Sequence, residues 1–272
     1  MIVVTGATGN VGRPLVQALA DAGAPVTAVS RRAADMPAGV RSVQADLIEP
    51  ESLEPVLRGA EALFMLTGAD FMKGGDIDEL VRVVEKSAVP RVVLLSSQGV
   101  GTKRHPAYLE DAVRQSNLEW TMLRPGNFDS NALQWAESVR ADRTVAAPFG
   151  DIALPAIDPA DIAEVAAVVL REPAHGGATY TLTGPEPVSP REQTAAIADA
   201  LGEPVRFREQ TREEARVQML GYMPEPVVEA TLAILGTPSP DEQAVSPDVE
   251  RVLGRPARPF ADWAARQVAA FR

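Results

Sequence analysis

Three glycines near the start of the chain offer the clearest chemistry. The segment Thr5-Gly6-Ala7-Thr8-Gly9-Asn10-Val11-Gly12 follows a short aliphatic run and precedes an amphipathic stretch. Spaced glycines in that context bind a dinucleotide. The first permits a tight turn and the second lets backbone approach a pyrophosphate. The third lets helix pack on strand, and the anion rests on the helix N-terminus. The bland alternative is a tight turn that binds nothing, and the flanking elements weigh against it. After the second aliphatic run, where NAD-binding chains usually carry an acidic residue for the ribose hydroxyls, stand Ser30, Arg31 and Arg32. Two guanidinium forks there suit a 2′-phosphate, so NADP(H) is favoured with NAD(H) possible. Asp46 could reach the adenine edge or simply cap the turn before Glu49 and Glu51.

Other chemistry is excluded by composition. The 272 residues include no Cys and two His (His105 and His175), which removes thiol nucleophiles, disulfides and Cys/His zinc sites. The net charge of −11 makes the chain a poor binder of nucleic acid or anionic membrane. No run approaches the ~20 apolar residues of a membrane span, and MIVVTGATGN lacks a basic leader, so a cytoplasmic location is expected.

The elements that must hold these residues alternate. Strand-length apolar runs at 2–4, 26–29, 40–43, 62–66, 92–95 and 120–123 are separated by amphipathic stretches at 11–22, 51–57, 77–84 and 108–115. This spacing predicts an α/β fold, a Rossmann-type doubly wound parallel sheet covered on both faces. Beyond Phe128 the pattern predicts a helix over 130–140, a second opened by Asp158-Pro159, a strand over 178–182, and a helix from the capping box at Ser189–Glu192 to Leu201. Dense prolines then indicate a small, mainly helical C-terminal portion, with 237–242 as a flexible loop. Residues 1–128, with 155–184 returning to the sheet, are assigned to dinucleotide binding. Residues 129–154 and 185–272 are assigned to the substrate.

TGATGNVGRPL, the SRR at 30–32, AD at 45–46, LLSS at 94–97 and TMLRPGNF at 121–128 resemble the atypical short-chain dehydrogenase/reductase superfamily, in its NmrA-like, quinone-reductase-like branch. The resemblance extends through IDPADIAEVAAVVL (157–170) and TYTLTGPEPVS (179–189). It implies that Thr8, Gly9, Asn10 and Val11 hold the pyrophosphate, Arg31 and Arg32 the 2′-phosphate, and Asp46 and Leu47 the adenine. Leu66, Thr67 and Gly68 would line the ribose, with Ser96, Ser97, Pro125, Asn127 and Phe128 about the nicotinamide.

The catalytic pattern departs from the superfamily. Many members use Tyr-x-x-x-Lys, in which the lysine lowers the phenol's pKa. Here Tyr108 is followed four residues later by Ala112, and the three lysines are Lys73, Lys86 and Lys103. Tyr108 therefore reads as a packing residue. Ser97 matches the family's serine, and His105 is the reserve proton donor. A quinone or aromatic acceptor takes hydride without a placed acid, and such chemistry is expected for a small aromatic substrate. Phe71, Met72, Asn127, Phe128, Asn131, Trp135, Met219, Tyr222 and Met223 are the candidate wall for it, or else an ordinary core. Two alternatives share the missing acid pair: natural-product tailoring of an aromatic, polyketide-like substrate by reduction-coupled O2 hydroxylation, and a non-catalytic NADP(H)-binding redox sensor.

Overall fold

The computed structural model of the chain describes residues 1–68 and 70–272. Strand β1 (Ile2–Val4) leads through α1 (Gly12–Asp21) to β2 (Val26–Ser30) and β3 (Arg41–Gln44). A 3-10 turn at Pro50–Leu53 and α2 (Glu54–Leu57) precede β4 (Ala62–Met65), followed by α3 (Phe71–Gly74), α4 (Ile77–Lys86) and β5 (Arg91–Leu95). Then come α5 (Gln98–Gly101), α6 (Tyr108–Gln115), β6 (Glu119–Pro125), a 3-10 segment at Asp129–Trp135, α7 (Ala136–Asp142) and β7 (Thr144–Pro148). The chain continues through α8 (Pro159–Arg171), β8 (Thr179–Leu182), α9 (Pro190–Leu201), β9 (Arg206–Gln210), α10 (Arg212–Leu220) and α11 (Glu225–Gly236). It finishes with α12 (Pro240–Gln243), α13 (Asp248–Leu253) and α14 (Phe260–Gln267). These elements form two compact units: Met1–Pro125, Pro159–Leu182 and Asp248–Arg255 in the first, and Gly126–Asp158, Thr183–Pro247 and Pro256–Arg272 in the second.

In the first unit the described residues build a seven-stranded sheet of order β3-β2-β1-β4-β5-β6-β8. Every pairing is parallel. Parallel neighbours require crossover helices, which cover the sheet on both faces, so β1, β2 and β4 are buried throughout. On one side Leu80, Val83 and Val84 of α4 join Leu53, Leu57 and Val113 in a single aliphatic cluster. Burial of each such side chain contributes roughly 1.5–3 kcal/mol. The α4 helix starts where the Asp76 carboxylate accepts the Glu79 N–H at 3.0 Å. Residues 248–255, which the sequence groups with the C-terminal portion, pack here. The Asp248 carboxylate accepts the Thr181 N–H of β8 at 2.9 Å, and Arg255 reaches the fully buried Asp161 at 2.7 Å.

The second unit contains a pair of strands the sequence did not disclose. β7 and β9 run parallel in register from Thr144 opposite Arg206 to Pro148 opposite Gln210. The helix expected over 130–140 begins as the 3-10 segment and becomes α-helical only at Ala136. The α9 capping box is present as expected, with Ser189 and Glu192 satisfying each other's backbone N–H. Trp135, Val139, Val145, Ile197, Trp263 and Phe271 form the core. The expected flexible loop at 237–242 is corrected: Ser239 caps α12, its N–H bonds Glu242 at 2.7 Å, and Glu242 is buried. Among the described residues no helix is long and apolar enough to cross a membrane.

Candidate active site

The glycine turn is shaped by contacts that tolerate no side chain. Gly6 has φ +62°, and a Cβ on Gly12 would stand 2.1 Å from the Gly6 carbonyl oxygen, so only glycine lets α1 start so close to the turn. The Thr5 hydroxyl donates to the Phe64 carbonyl at 3.0 Å and accepts the Leu66 N–H at 2.9 Å, pinning the turn to the end of β4. The cap residue of α1 supplies no side-chain hydrogen bond. A helix start of this kind, behind a close-packed glycine cradle, fits the diphosphate of a dinucleotide.

A cavity of about 230 Å³ opens beside the turn. Thr8 and Gly9, with Gly6, form one part of its wall; Ser30, Arg31, Asp46 and Leu47 form another, and Leu66 and Gly68 a third. Among the described wall residues Asn10, Val11, Gly12, Arg32 and Thr67 do not appear. Val11 is wholly buried behind the turn, and Arg32 is exposed, its carbonyl accepting the Ser30 hydroxyl at 2.5 Å. Asp46 lines the cavity while its carboxylate accepts the Ile48 N–H at 3.1 Å, so it also caps the turn. Arg31 is ion-paired with Asp70, a wall residue that sequence reasoning missed. The hydrogen bond and the charge of Arg31 hold the Asp70 carboxyl below the ordinary range.

Two residues expected at the substrate lie in this first unit instead. Phe71 is buried in the sheet's core and lines the cofactor-side cavity, its apolar ring serving to seat α3. Met72 is half exposed, and its sulfur accepts the Tyr108 hydroxyl at 3.2 Å.

Beyond β5, Ser97 and His105 come together. The Ser97 hydroxyl lies 3.0 Å from His105 Nδ1 and accepts the Gly99 N–H at 3.1 Å, capping α5. The imidazole rests on Gly99, where a Cβ would meet it at 2.5 Å. The direction of the Ser97–His105 hydrogen bond is set by which ring nitrogen carries the proton. Ser96 points elsewhere, donating to the Glu110 carboxylate at 2.5 Å. Glu110 is 1% exposed and accepts a two-pronged grip from Arg124 at 2.8 and 2.7 Å. Burial alone would push its carboxyl up. The hydrogen bonds from Arg124 and Ser96 and the charges of Arg124 and Arg114 outweigh that and hold it down. Tyr108 sits at the head of α6, and burial raises its pKa. Pro125 closes β6 and is buried.

The second unit has its own cavity, of about 400 Å³. Asn127, Phe128, Asn131, Trp135, Met219, Tyr222 and Met223, all named from sequence, lie in its wall. Gln193, Gln210, Gln218 and Phe149 are wall residues that sequence reasoning missed. Gln210 and Gln218 are joined by an amide hydrogen bond of 3.0 Å. For Gln193 and Gln218 the available signal was a carboxamide in an otherwise charged helix.

Cradle, sheet order and cavity define a Rossmann-type dinucleotide-binding protein. A family model described as NAD(P)H-binding matches residues 6–173. The chain belongs to this NAD(P)H-binding family and is an NAD(P)H-dependent oxidoreductase. It is 37% identical to a Streptomyces griseus (4-alkanoyl-5-oxo-2,5-dihydrofuran-3-yl)methyl phosphate reductase, over 100% of this chain and 99% of that one. It is 33% identical to a Xenophilus azovorans NAD(P)H azoreductase, again over 100% and 99%. Among solved structures, an Escherichia coli NADPH-dependent quinone oxidoreductase complexed with NADPH gives a TM-score of 0.82 at 20% identity, covering 98% of this chain and 99% of that one. A Citrobacter sp. triphenylmethane reductase complexed with NADP(H) gives 0.80 at 23% identity, covering 98% and 100%.

Proposed function

We propose that this oxidoreductase reduces a quinone or another electron-poor aromatic acceptor, with NADP(H) favoured and NAD(H) as the lesser cofactor. The observation that carries the reading is the fate of Tyr108. Its hydroxyl is bonded to Met72, its pKa is raised by burial, and Ala112 stands where the superfamily's lysine would lower it. A phenol without that lysine to stabilise its phenolate is a poor acid for an ordinary ketone. A quinone needs none, because solvent protonates the phenolate it becomes.

The cofactor supplies hydride when bound. The chain's own part is to hold and orient. The glycine turn from Gly6 to Gly12 cradles the pyrophosphate, Arg31 meets the 2′-phosphate, and Asp46 and Leu47 border the adenine. Ser97 and His105, held 3.0 Å apart beyond the end of β5, are the candidate proton-donating pair of the first unit. The cavity carrying Asn127, Trp135 and Tyr222 takes the acceptor. The azo, quinone and triphenylmethane reductions named for the relatives share one feature that supports this reading: hydride goes to an extended conjugated system.

The test is NADPH oxidation across matched quinones and aliphatic ketones, with NADH in parallel. Quinone-dependent turnover, faster with NADPH, is expected. Aliphatic ketones reduced as fast as quinones would overturn the reading. So would tight cofactor binding with no acceptor consumed, which would point to a redox sensor.

A further inference from the structure

We infer that the cavity of the second unit selects an uncharged, oxygen-bearing flat molecule and excludes one that carries a phosphate. The inference rests on the reductase reading and narrows its substrate class. Six carboxamides share the wall: Asn127, Asn131, Gln134, Gln193, Gln210 and Gln218. Between them lie the apolar surfaces of Phe128, Trp135, Phe149 and Met219. Among the described wall residues there is no Arg, Lys, His, Asp or Glu.

A carboxamide offers two donors and one acceptor without charge. It therefore matches carbonyl and hydroxyl oxygens at the edge of a flat ring, and aromatic faces cover the ring itself. A phosphate dianion placed here would leave water with no cation to receive it. Several arginines of this unit are already engaged by carboxylates. Arg212 and Arg216 hold Glu229, Arg191 holds Asp151, and Arg208 meets Glu214. The one titratable wall side chain is Tyr222, and burial raises its pKa, so the lining stays neutral.

The experiment measures binding without turnover. The full chain, saturated with NADP+, is titrated with a hydroxymethyl-naphthoquinone and with its phosphate monoester. Trp135 in the wall reports by fluorescence quenching, and calorimetry provides a reading independent of it. The neutral quinone is expected to bind about tenfold tighter than the ester. Gln218→Arg, at an exposed position on α10, is expected to narrow the gap by tightening the ester alone. An ester that binds the native chain as well as the neutral quinone, or a neutral quinone that does not bind, overturns the inference. Binding of the neutral quinone in preference to the ester, without reduction when NADPH replaces NADP+, supports the cavity's selectivity and ends the quinone-reductase reading. The two failures are thus separable.

Discussion

Arg31 reaches the cofactor-side cavity with a partner already attached. Asp70, thirty-nine residues away in sequence, meets its guanidinium across the cavity wall. With Arg31 holding the 2′-phosphate, as proposed above, that phosphate would share or displace the carboxylate, and Asp70 would weaken the preference for NADP(H). Asp70→Asn is expected to lower the KM for NADPH several-fold and leave that for NADH nearly unchanged, measured by initial rates with one quinone. An equal change for both cofactors would place the effect on the portion they share. Sequence could name Arg31 because its chemistry is local to the end of β2. It could not name Asp70, since the pair exists only after β2 and the β4–α3 connection are brought side by side. Ser97 and His105 are an intermediate case: each was visible by type, but their pairing depends on the α5 turn folding the imidazole back over Gly99.

At the level of elements, Glu110 ties α6 to β6. Its carboxylate grips Arg124 and also receives Ser96 from the end of β5, with Arg114 at 3.1 Å. Removing one partner of a buried pair costs about 3 kcal/mol. The folded-state pKa of Glu110 lies below its unfolded value. Its stabilisation is therefore complete above the unfolded pKa and is lost as pH falls through the folded one. Glu110→Gln is expected to be less stable at neutral pH and to show a flatter fall of Tm between about pH 6 and pH 3. A parallel downward shift at every pH would remove Glu110 from the acid limb. Strands β1, β2, β4 and β5 were legible because burial on both faces makes them apolar runs. β9, by contrast, reads Arg-Phe-Arg-Glu-Gln and is mostly exposed, leaving no hydrophobic period to detect. Its partner β7, Thr-Val-Ala-Ala-Pro, carries a single large aliphatic side chain and ends in proline, so it has no apolar run to mark it. The capping box at Ser239–Glu242 was written in the same residues that suggested a loop, and proline density masked it.

For the whole molecule, the net charge of −11 bears on which acceptors arrive. An anionic quinone approaches against a repulsive field, whereas a neutral one does not feel it. With NADPH saturating, kcat/KM for a sulfonated naphthoquinone is expected to rise with added salt as the field is screened. The value for the neutral parent should stay flat. A rise of equal size for both would assign the salt effect to the protein and not to the encounter. The same acidic composition is plain in the sequence and weighs against nucleic acid as a ligand. The fine selection in the cavity was not, because six amides scattered from Asn127 to Gln218 converge only when the second unit is folded. One of their neighbours sets the terms on which that selection can change. Phe149 holds a φ of +56°, a conformation uncommon for a side chain of its size, at a cost of about 1–3 kcal/mol. Glycine at that position would relax the backbone and remove a ring from the wall together, the relaxation offsetting part of the lost burial. Phe149→Gly would therefore enlarge the cavity at a smaller cost in stability than loss of the ring alone implies.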